Sequence, residues 1–406
     1  MPIEILHVVY GHYPADTRVK RELSALRATG RRRAVIAVRS ARESATQRVD
    51  GVVTIRVPGR KSRGGFLSYV IEYGDFVLRC RRLIANHPAL AHVQVVHVHT
   101  LPDFLMWAAL PARRRGARIV FDMHEIFPEF ARAKYPGILG AILSALARRV
   151  EHWARGRADL TITVNRPIDE LLATRPALRN EHRIVVHNTA DTEDFGGRPP
   201  VTSTPVTVPL QLVYHGTLTH MYGLDIAVRA VSDAPGHPQL TIIGGGPERQ
   251  RLEALARSLA ANGVTFESPI TQQALAGRLP RFHAGVVPTR LDGMTRYSLS
   301  TKLLEYVHLG MPVLAARLPG YQRYFPDDAL WYWTPGDPAD LIRAMQQFAQ
   351  ASDSERSART RRAREAIAQL SWSRQRDALL AAYAGLLTGD GSAKTAAMRS
   401  AAVPSP

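Results

Sequence analysis

One pattern runs through this chain, stops once and starts again, and that interruption constrains the fold more than any single motif. Short β-branched apolar runs alternate with amphipathic stretches of helical length, as in βαβ units that build a parallel sheet. In the first half the strand-like runs are Ile3 to Tyr10, Ala34 to Val38, Val52 to Val57, Val93 to Val98, Arg118 to Asp122, Leu160 to Val164 and Arg183 to Val186. Helices are predicted over Asp16 to Thr29, Phe66 to Ala85, Pro102 to Arg115, Gly137 to Arg155 and Pro167 to Arg175. The pattern fails from Gly196 to Pro209, where glycine, proline, serine and threonine replace any period, as in a linker. It resumes with runs at Gln211 to His215, Gln239 to Ile243, Val264 to Phe266, Ala284 to Pro288 and Pro312 to Ala315, with helices after Gly223, Pro247, Thr271 and Ser300. Three more helical stretches follow, Pro338 to Ala349, Ser354 to Leu370 and Trp372 to Leu387.

The fold class expected is therefore α/β, with two doubly wound Rossmann-like domains over 1–195 and 210–370 joined by a linker at 196–209. A further helix covers 371–388, and the Gly, Ser and Ala of 389–406 read as a disordered tail. A chain of 406 residues is also long for a single core. Open parallel sheets bind ligands at the carboxyl ends of their strands, so two such domains facing each other suit a substrate in two parts.

Composition removes several classes. No apolar run approaches the roughly 20 residues needed to cross a bilayer. The start, Ile3 to Tyr10, lacks the basic opening and small-residue cleavage site of a signal peptide, which predicts a cytoplasmic protein. Cys80 is the single cysteine, so an intrachain disulfide and a Cys-rich zinc site are excluded. Charge is lopsided: residues 1–190 hold 31 Lys and Arg against 16 Asp and Glu, and the remainder 22 against 19. A basic first half suits an anionic membrane surface or nucleic acid, or is simply the solvated face of an arginine-rich chain. No nucleic-acid reading motif or aromatic–basic interleaving accompanies it, so no nucleic acid is expected as a partner.

Three stretches of the second half can hold an anion. Ile242 to Glu248 runs a strand into Gly244, Gly245 and Gly246, then Pro247 at an expected first helical position and Glu248. Glycines there let a ligand approach the backbone. Tyr214 to Leu218 ends the strand before it, offering Gly216 and Thr217. In Ser300 to Val313, Ser300 or Thr301 caps a helix whose free N–H groups suit a phosphate, Lys302 adds a charge in its first turn, and Glu305 lies one turn further on, where it can accept hydrogen bonds from ribose. An ordinary capped helix would look the same.

The order of these segments resembles the retaining, nucleotide-sugar-dependent glycosyltransferases of GT-B fold that make up family 4. The resemblance runs to about Leu387 through Asp16 to Val19, His97 to His99, Phe121 to Glu125, Val186 to Asn188, Gly216, Gly244 to Glu248, Val287-Pro288 and Lys302 to Pro312. It implies two facing domains with the helix after Ser371-Trp372 crossing back to the first. It also implies a nucleotide near Gly244, Gly246, Pro247 and Glu248, a diphosphate at the amides of Leu303 and Leu304, ribose at Glu305, and His124 at the sugar-transfer centre. The sequence departs from the family at Tyr297, where an acidic residue often contacts the sugar, and at Thr217 and Tyr222, where an arginine and a lysine often meet the diphosphate. Lys302, Arg290, Arg296 or His220 would have to compensate. The implied reaction moves a sugar from a UDP- or GDP-sugar to a glycan or lipid-linked acceptor with retention, for surface polysaccharide or glycolipid. The nucleotide-sugar is a substrate, so no cofactor is expected, and no Asp-X-Asp motif suggests a metal.

For the acceptor, His12, Tyr13 and Arg18 follow the first strand and are expected to face the cleft. Gly59 to Phe66 reads as a basic, flexible loop. Between Pro136 and Arg157, Ile138, Leu139, Ile142, Leu143, Leu146 and Trp153 join Arg148, Arg149, Arg155 and Arg157 in a helix that suits an anionic membrane, unless its apolar stripe packs on its own sheet. The alternatives are a nucleotide-sugar epimerase or hydrolase of the same fold and, with less support, a basic nucleic-acid-binding protein.

Overall fold

The computed structural model describes residues 2–59, 66–135, 137–179, 181–189, 206 and 209–388. The basic loop at 60–65, most of the expected linker and the tail at 389–406 lie outside the described residues. The chain divides into two compact units, one made of residues up to Asn188 together with those from Ser373, the other of Thr189–Trp372.

The sheet of the first unit comprises β1 (Ile5–Val8), β2 (Arg33–Arg39), β3 (Thr46–Val49), β4 (Val52–Pro58), β5 (Val95–His99), β6 (Arg118–Met123), β7 (Leu160–Thr163) and β8 (Arg183–Val185), in the order β3-β4-β2-β1-β5-β6-β7-β8. Its strands are parallel except for β3, which closes the edge antiparallel to β4. β1, β5 and β7 are buried along their whole length, the burial expected of strands covered by helices on both faces. From β1 the chain first moves outward to β2 and later returns on the other side at β5, so β1 and β5 form the switch point, beside which ligands of such sheets bind.

Helix starts follow local chemistry. The Asp16 carboxylate accepts from the N–H groups of Arg18 and Val19 and opens the Thr17–Ala25 helix. Asn165 does the same for Arg166–Ala173 through the Ile168 N–H. The Gly137–Arg155 helix has the bounds read from the sequence, and a helix at Phe127–Lys134, which the sequence reading lacked, precedes it. The last helix, Trp372–Thr388, returns to the first unit, where the Gln375 side-chain oxygen accepts from the His187 backbone N–H at 2.8 Å.

The second unit carries β9 (Gln211–His215), β10 (Gln239–Ile243), β11 (Val264–Glu267), β12 (Ala284–Val287), β13 (Val313–Ala316) and β14 (Trp331–Trp333), in the order β11-β10-β9-β12-β13-β14 and all parallel. Alternation along β9 sends Leu212 and Tyr214 into one core with Ile226, Leu240, Trp331 and Phe348, and Val213 into the other with Leu303, Leu304, Val307 and Tyr321. β14 is absent from the sequence reading. The arrangement is the GT-B architecture, two Rossmann-like sheets with a final helix that crosses back.

Candidate functional site

In the first unit, strand register assembles a polar cluster inside the sheet. His7 on β1 lies opposite His97 on β5, and His99 lies opposite Asp122 on β6. His97 and His99 are two residues apart on one strand and so point to the same face. All four are fully buried. His7 Nδ1 and His99 Nε2 are 2.9 Å apart, and His97 Nδ1 lies 2.7 Å from the Tyr383 hydroxyl of the last helix. His124, just past β6, is fixed by its own N–H donating to Thr100 Oγ1 at 3.1 Å, with its Nε2 at 3.0 Å from Asp122 Oδ2 and 3.1 Å from His99 Nδ1. Its side chain alone among the cluster's imidazoles reaches solvent, at 20% exposure.

Arg18 supplies the compensating charge. Its Nε and Nη2 donate to the two Asp122 oxygens at 3.0 and 2.8 Å, a bidentate pair, and Nη1 donates to the Val186 carbonyl at 2.9 Å. Burial raises the carboxyl of Asp122, but Arg18 and His124 outweigh it and hold the group well below the usual carboxylate range. At Glu22 burial outweighs Arg18, and the carboxyl is pushed well up. Burial also drives His7 and His99 well below the ordinary imidazole value. Asp122 is thus the anion of the cluster. Because an ionised carboxylate only accepts, His124 carries its proton on Nε2 toward Asp122 and leaves Nδ1 as its other ring nitrogen. The ligand atoms of His99, Asp122 and His124 lie close enough for a metal ion, as do those of His7, Glu22, His97 and His99. At Asp122 the Arg18 fork already provides the positive charge that an ion would bring.

In the second unit two loops interlock. The Gly216 N–H donates to the Ile243 carbonyl at 2.9 Å, the Leu218 N–H to Gly245 at 2.9 Å and the Glu248 N–H to Leu218 at 3.1 Å. A side chain at 244 would collide with the Gly216 carbonyl oxygen, and one at 246, where φ is +154°, with that of Leu218. Arg249 clamps the loop by donating to the carbonyls of Gly244 and Glu267 at 2.9 and 2.8 Å. Beside Gly216 lies Lys302, buried, with its ammonium 3.7 Å from the Tyr222 ring centre and 5.4 Å from that of Tyr214. Burial lowers its pKa to about 8, with Glu305 opposing. Glu305 Oε2 is 3.1 Å from Nε2 of His215, which burial, then Lys302, hold neutral with a pKa of about 3.

The chain matches the model of glycosyltransferase family 4 over residues 15–194 and that of group 1 glycosyl transferases over residues 209–351. It belongs to the group 1, family 4 glycosyltransferases. The GT-B fold of this glycosyltransferase is shared with sucrose-phosphate synthase of Thermosynechococcus elongatus at 18% identity and a TM-score of 0.76, over 96% of this chain and 100% of that one. WaaG, a glycosyltransferase involved in lipopolysaccharide biosynthesis, is similar at 15% identity and a TM-score of 0.68, over 95% and 100%. The Anabaena protein HepE in complex with UDP and glucose is similar at 14% identity and a TM-score of 0.67, over 94% and 99%. No curated protein matches by sequence.

Several expectations for the glycosyltransferase change with the geometry. Tyr13 and Arg18 are buried rather than open to a ligand, because Arg18 is spent on Asp122, Glu22 and Val186; of the three residues read as acceptor contacts, His12 is the exposed one. Pro247 stands before the Arg249–Ser258 helix, whose cap is Glu248, and Glu248 pairs with Arg251. The Leu303 N–H donates to Ser300 Oγ at 3.5 Å and the Leu304 N–H to the Ser300 carbonyl at 3.2 Å, so helix geometry leaves Thr301 and Lys302 as the first-turn donors. Arg290 is paired with Asp225 at 2.5 Å, whereas Lys302 lies against Gly216. Thr217 is exposed and its carbonyl accepts from Tyr214 at 2.8 Å. Sequence reasoning missed His7, Glu22 and Tyr383 altogether. The signal available was the His-X-His step in β5, whose two imidazoles must share a face.

Proposed function

We propose that the second unit binds a UDP- or GDP-sugar and that the enzyme passes the sugar to a glycan or lipid-linked acceptor with retention of configuration. Such a cytoplasmic reaction serves surface polysaccharide or glycolipid synthesis. The observation that carries this reading is the convergence, beside Gly216, of one buried cation, Lys302, and the start of the Ser300-capped helix, with the partly exposed Glu305 one turn on. An ammonium and unpaired first-turn N–H groups suit the charge that grows on a leaving diphosphate, and this needs no metal. Glu305, 3.1 Å from neutral His215 and partly exposed, suits the ribose hydroxyls. HepE, of the same fold, holds UDP and glucose, which favours this class of donor.

On the first-unit side, His124 positions the sugar while a diphosphate oxygen takes the acceptor proton. Attack and departure then occur on one face of the ring. Asp122, held by Arg18, fixes the imidazole. Thermal-shift and calorimetric titration with UDP, GDP, ADP and their sugars tests the donor reading, and NMR of the product anomer tests retention. Stabilisation by one diphosphate nucleoside and its sugar is expected, undiminished by chelator. If none of them binds, the reading fails; release of free sugar without transfer to any acceptor would favour a hydrolase.

A further inference from the structure

The Gly137–Arg155 helix buries an unusual stripe. Its inward positions are Gly140, Ser144, Ala147, Glu151, Ala154 and Arg155, mostly small, and they let it lie close to its neighbours. The large apolar residues point the other way. Ile138 is 81% exposed, and Leu139, Ile142 and Leu146 are each more than half exposed. The apolar stripe therefore does not pack on its own sheet. Toward the C-terminus the same face continues into Arg149, seven residues after Ile142 and three after Leu146, with Arg148 beside it.

Exposed charge along the segment from Phe127 to Arg157 is of one sign. Between Phe127 and Arg157 the acidic residues are Glu129 and Glu151. Both turn inward: Arg175 lies 2.6 Å from Glu129 and 3.5 Å from Glu151, and Arg155 lies 3.3 Å from Glu151. Arg155, read from the sequence as part of the basic surface, is instead buried and bonded to Glu181 at 2.7 and 2.8 Å. The exposed charges of the segment are Arg132, Lys134, Arg148, Arg149 and Arg157, all cationic. Two tryptophans flank them, each under a guanidinium, Trp107 under Arg81 at 4.3 Å and Trp153 under Arg157 at 4.6 Å.

We propose that this face seats the first unit on an anionic lipid surface, with Ile138, Leu139, Ile142 and Leu146 entering the acyl boundary and Arg148 and Arg149 meeting headgroups. Apolar side chains edged by cations and by amphipathic Trp–Arg pairs, with no exposed anion among them, match that boundary. A second copy set symmetrically on this face would bring like charges together.

The test is flotation of the full-length protein with vesicles of equal phosphatidylglycerol and phosphatidylcholine, against phosphatidylcholine alone. Binding to the anionic vesicles is expected, falling steeply as salt rises. Arg148→Ala with Arg149→Ala should weaken it about thirtyfold, and Ile142→Glu with Leu146→Glu about a hundredfold or more. Both variants change exposed positions, and an unaltered melting curve shows that they fold. No association at low salt would overturn the proposal. So would variants that bind like the parent, or a dimer of the parent that Ile142→Glu with Leu146→Glu dissociates.

Discussion

The two units place their chemistry in opposite ways. In the first, side chains carry it: His7, His97, His99, His124, Asp122, Arg18 and Tyr383 meet inside the sheet, and each depends on another for its charge or tautomer. In the second, backbone carries most of it. Gly216, Gly244 and Gly246 let two loops interlock, and Lys302 and Glu305 are added at the edge. A buried side-chain network ties function to stability, because removing one partner strands another. A backbone cradle allows the two to be separated.

That contrast can be broken most decisively at Asp122. Asp122→Ala leaves the Arg18 guanidinium buried without its bidentate partner, and a loss of about 3–5 kcal/mol is expected in chemical denaturation. A loss below 1 kcal/mol would show that the network is not a unit. His124→Ala, at the solvent-facing end, should instead spare stability while lowering kcat about a hundredfold, the scale of a misplaced reacting group. A near-parental kcat would remove His124 from the transfer centre.

Lys302 sharpens the other side. Lys302→Met should weaken donor binding about tenfold to a hundredfold, as for a lost charge-assisted contact, without the destabilisation expected at Asp122. pH separates the two effects further. With a folded value of about 8 against an ordinary 10.5, Lys302 is a buried charge below pH 8 and neutral above it. Donor affinity should therefore fall as pH rises through about 8, while this group's contribution to stability rises between 8 and 10.5. Titration calorimetry and thermal melts over that window should move in opposite directions; parallel changes would contradict the assignment. The smallest effect is expected at Tyr222→Leu, which removes the ring under the ammonium. With the ammonium 3.7 Å from the ring centre, a loss in donor affinity of about 1 kcal/mol is expected, the scale of a cation–π contact.

Much of the fold was legible because it rests on periodicity. The strands β9 and β10 and the Gly137–Arg155 helix have the bounds read from the sequence. β3 was not legible: Thr46–Val49 is polar and lies at an exposed edge, so it has no apolar alternation. β14 has three residues, too few for a period. The site was half legible. Cap residues and glycines announce themselves locally, so Ser300, Gly216 and Gly244 were found. The histidine cluster depends on which strands lie side by side, and no local window holds that. The same ignorance misplaced Arg18, whose Asp122 partner lies 104 residues away.

The Tyr383 hydroxyl, which reaches His97 and lies 3.4 Å from His7, joins positions 376 residues apart in the chain. On a ribosome, which delivers domains from the N-terminus onward, the first sheet is synthesised early but lacks this partner until position 383 has emerged. The second unit, contiguous in sequence, can close first. The helix that follows it in sequence, Trp372–Thr388, brings the Tyr383 hydroxyl to the histidines, so closure across 376 positions becomes a late step of folding.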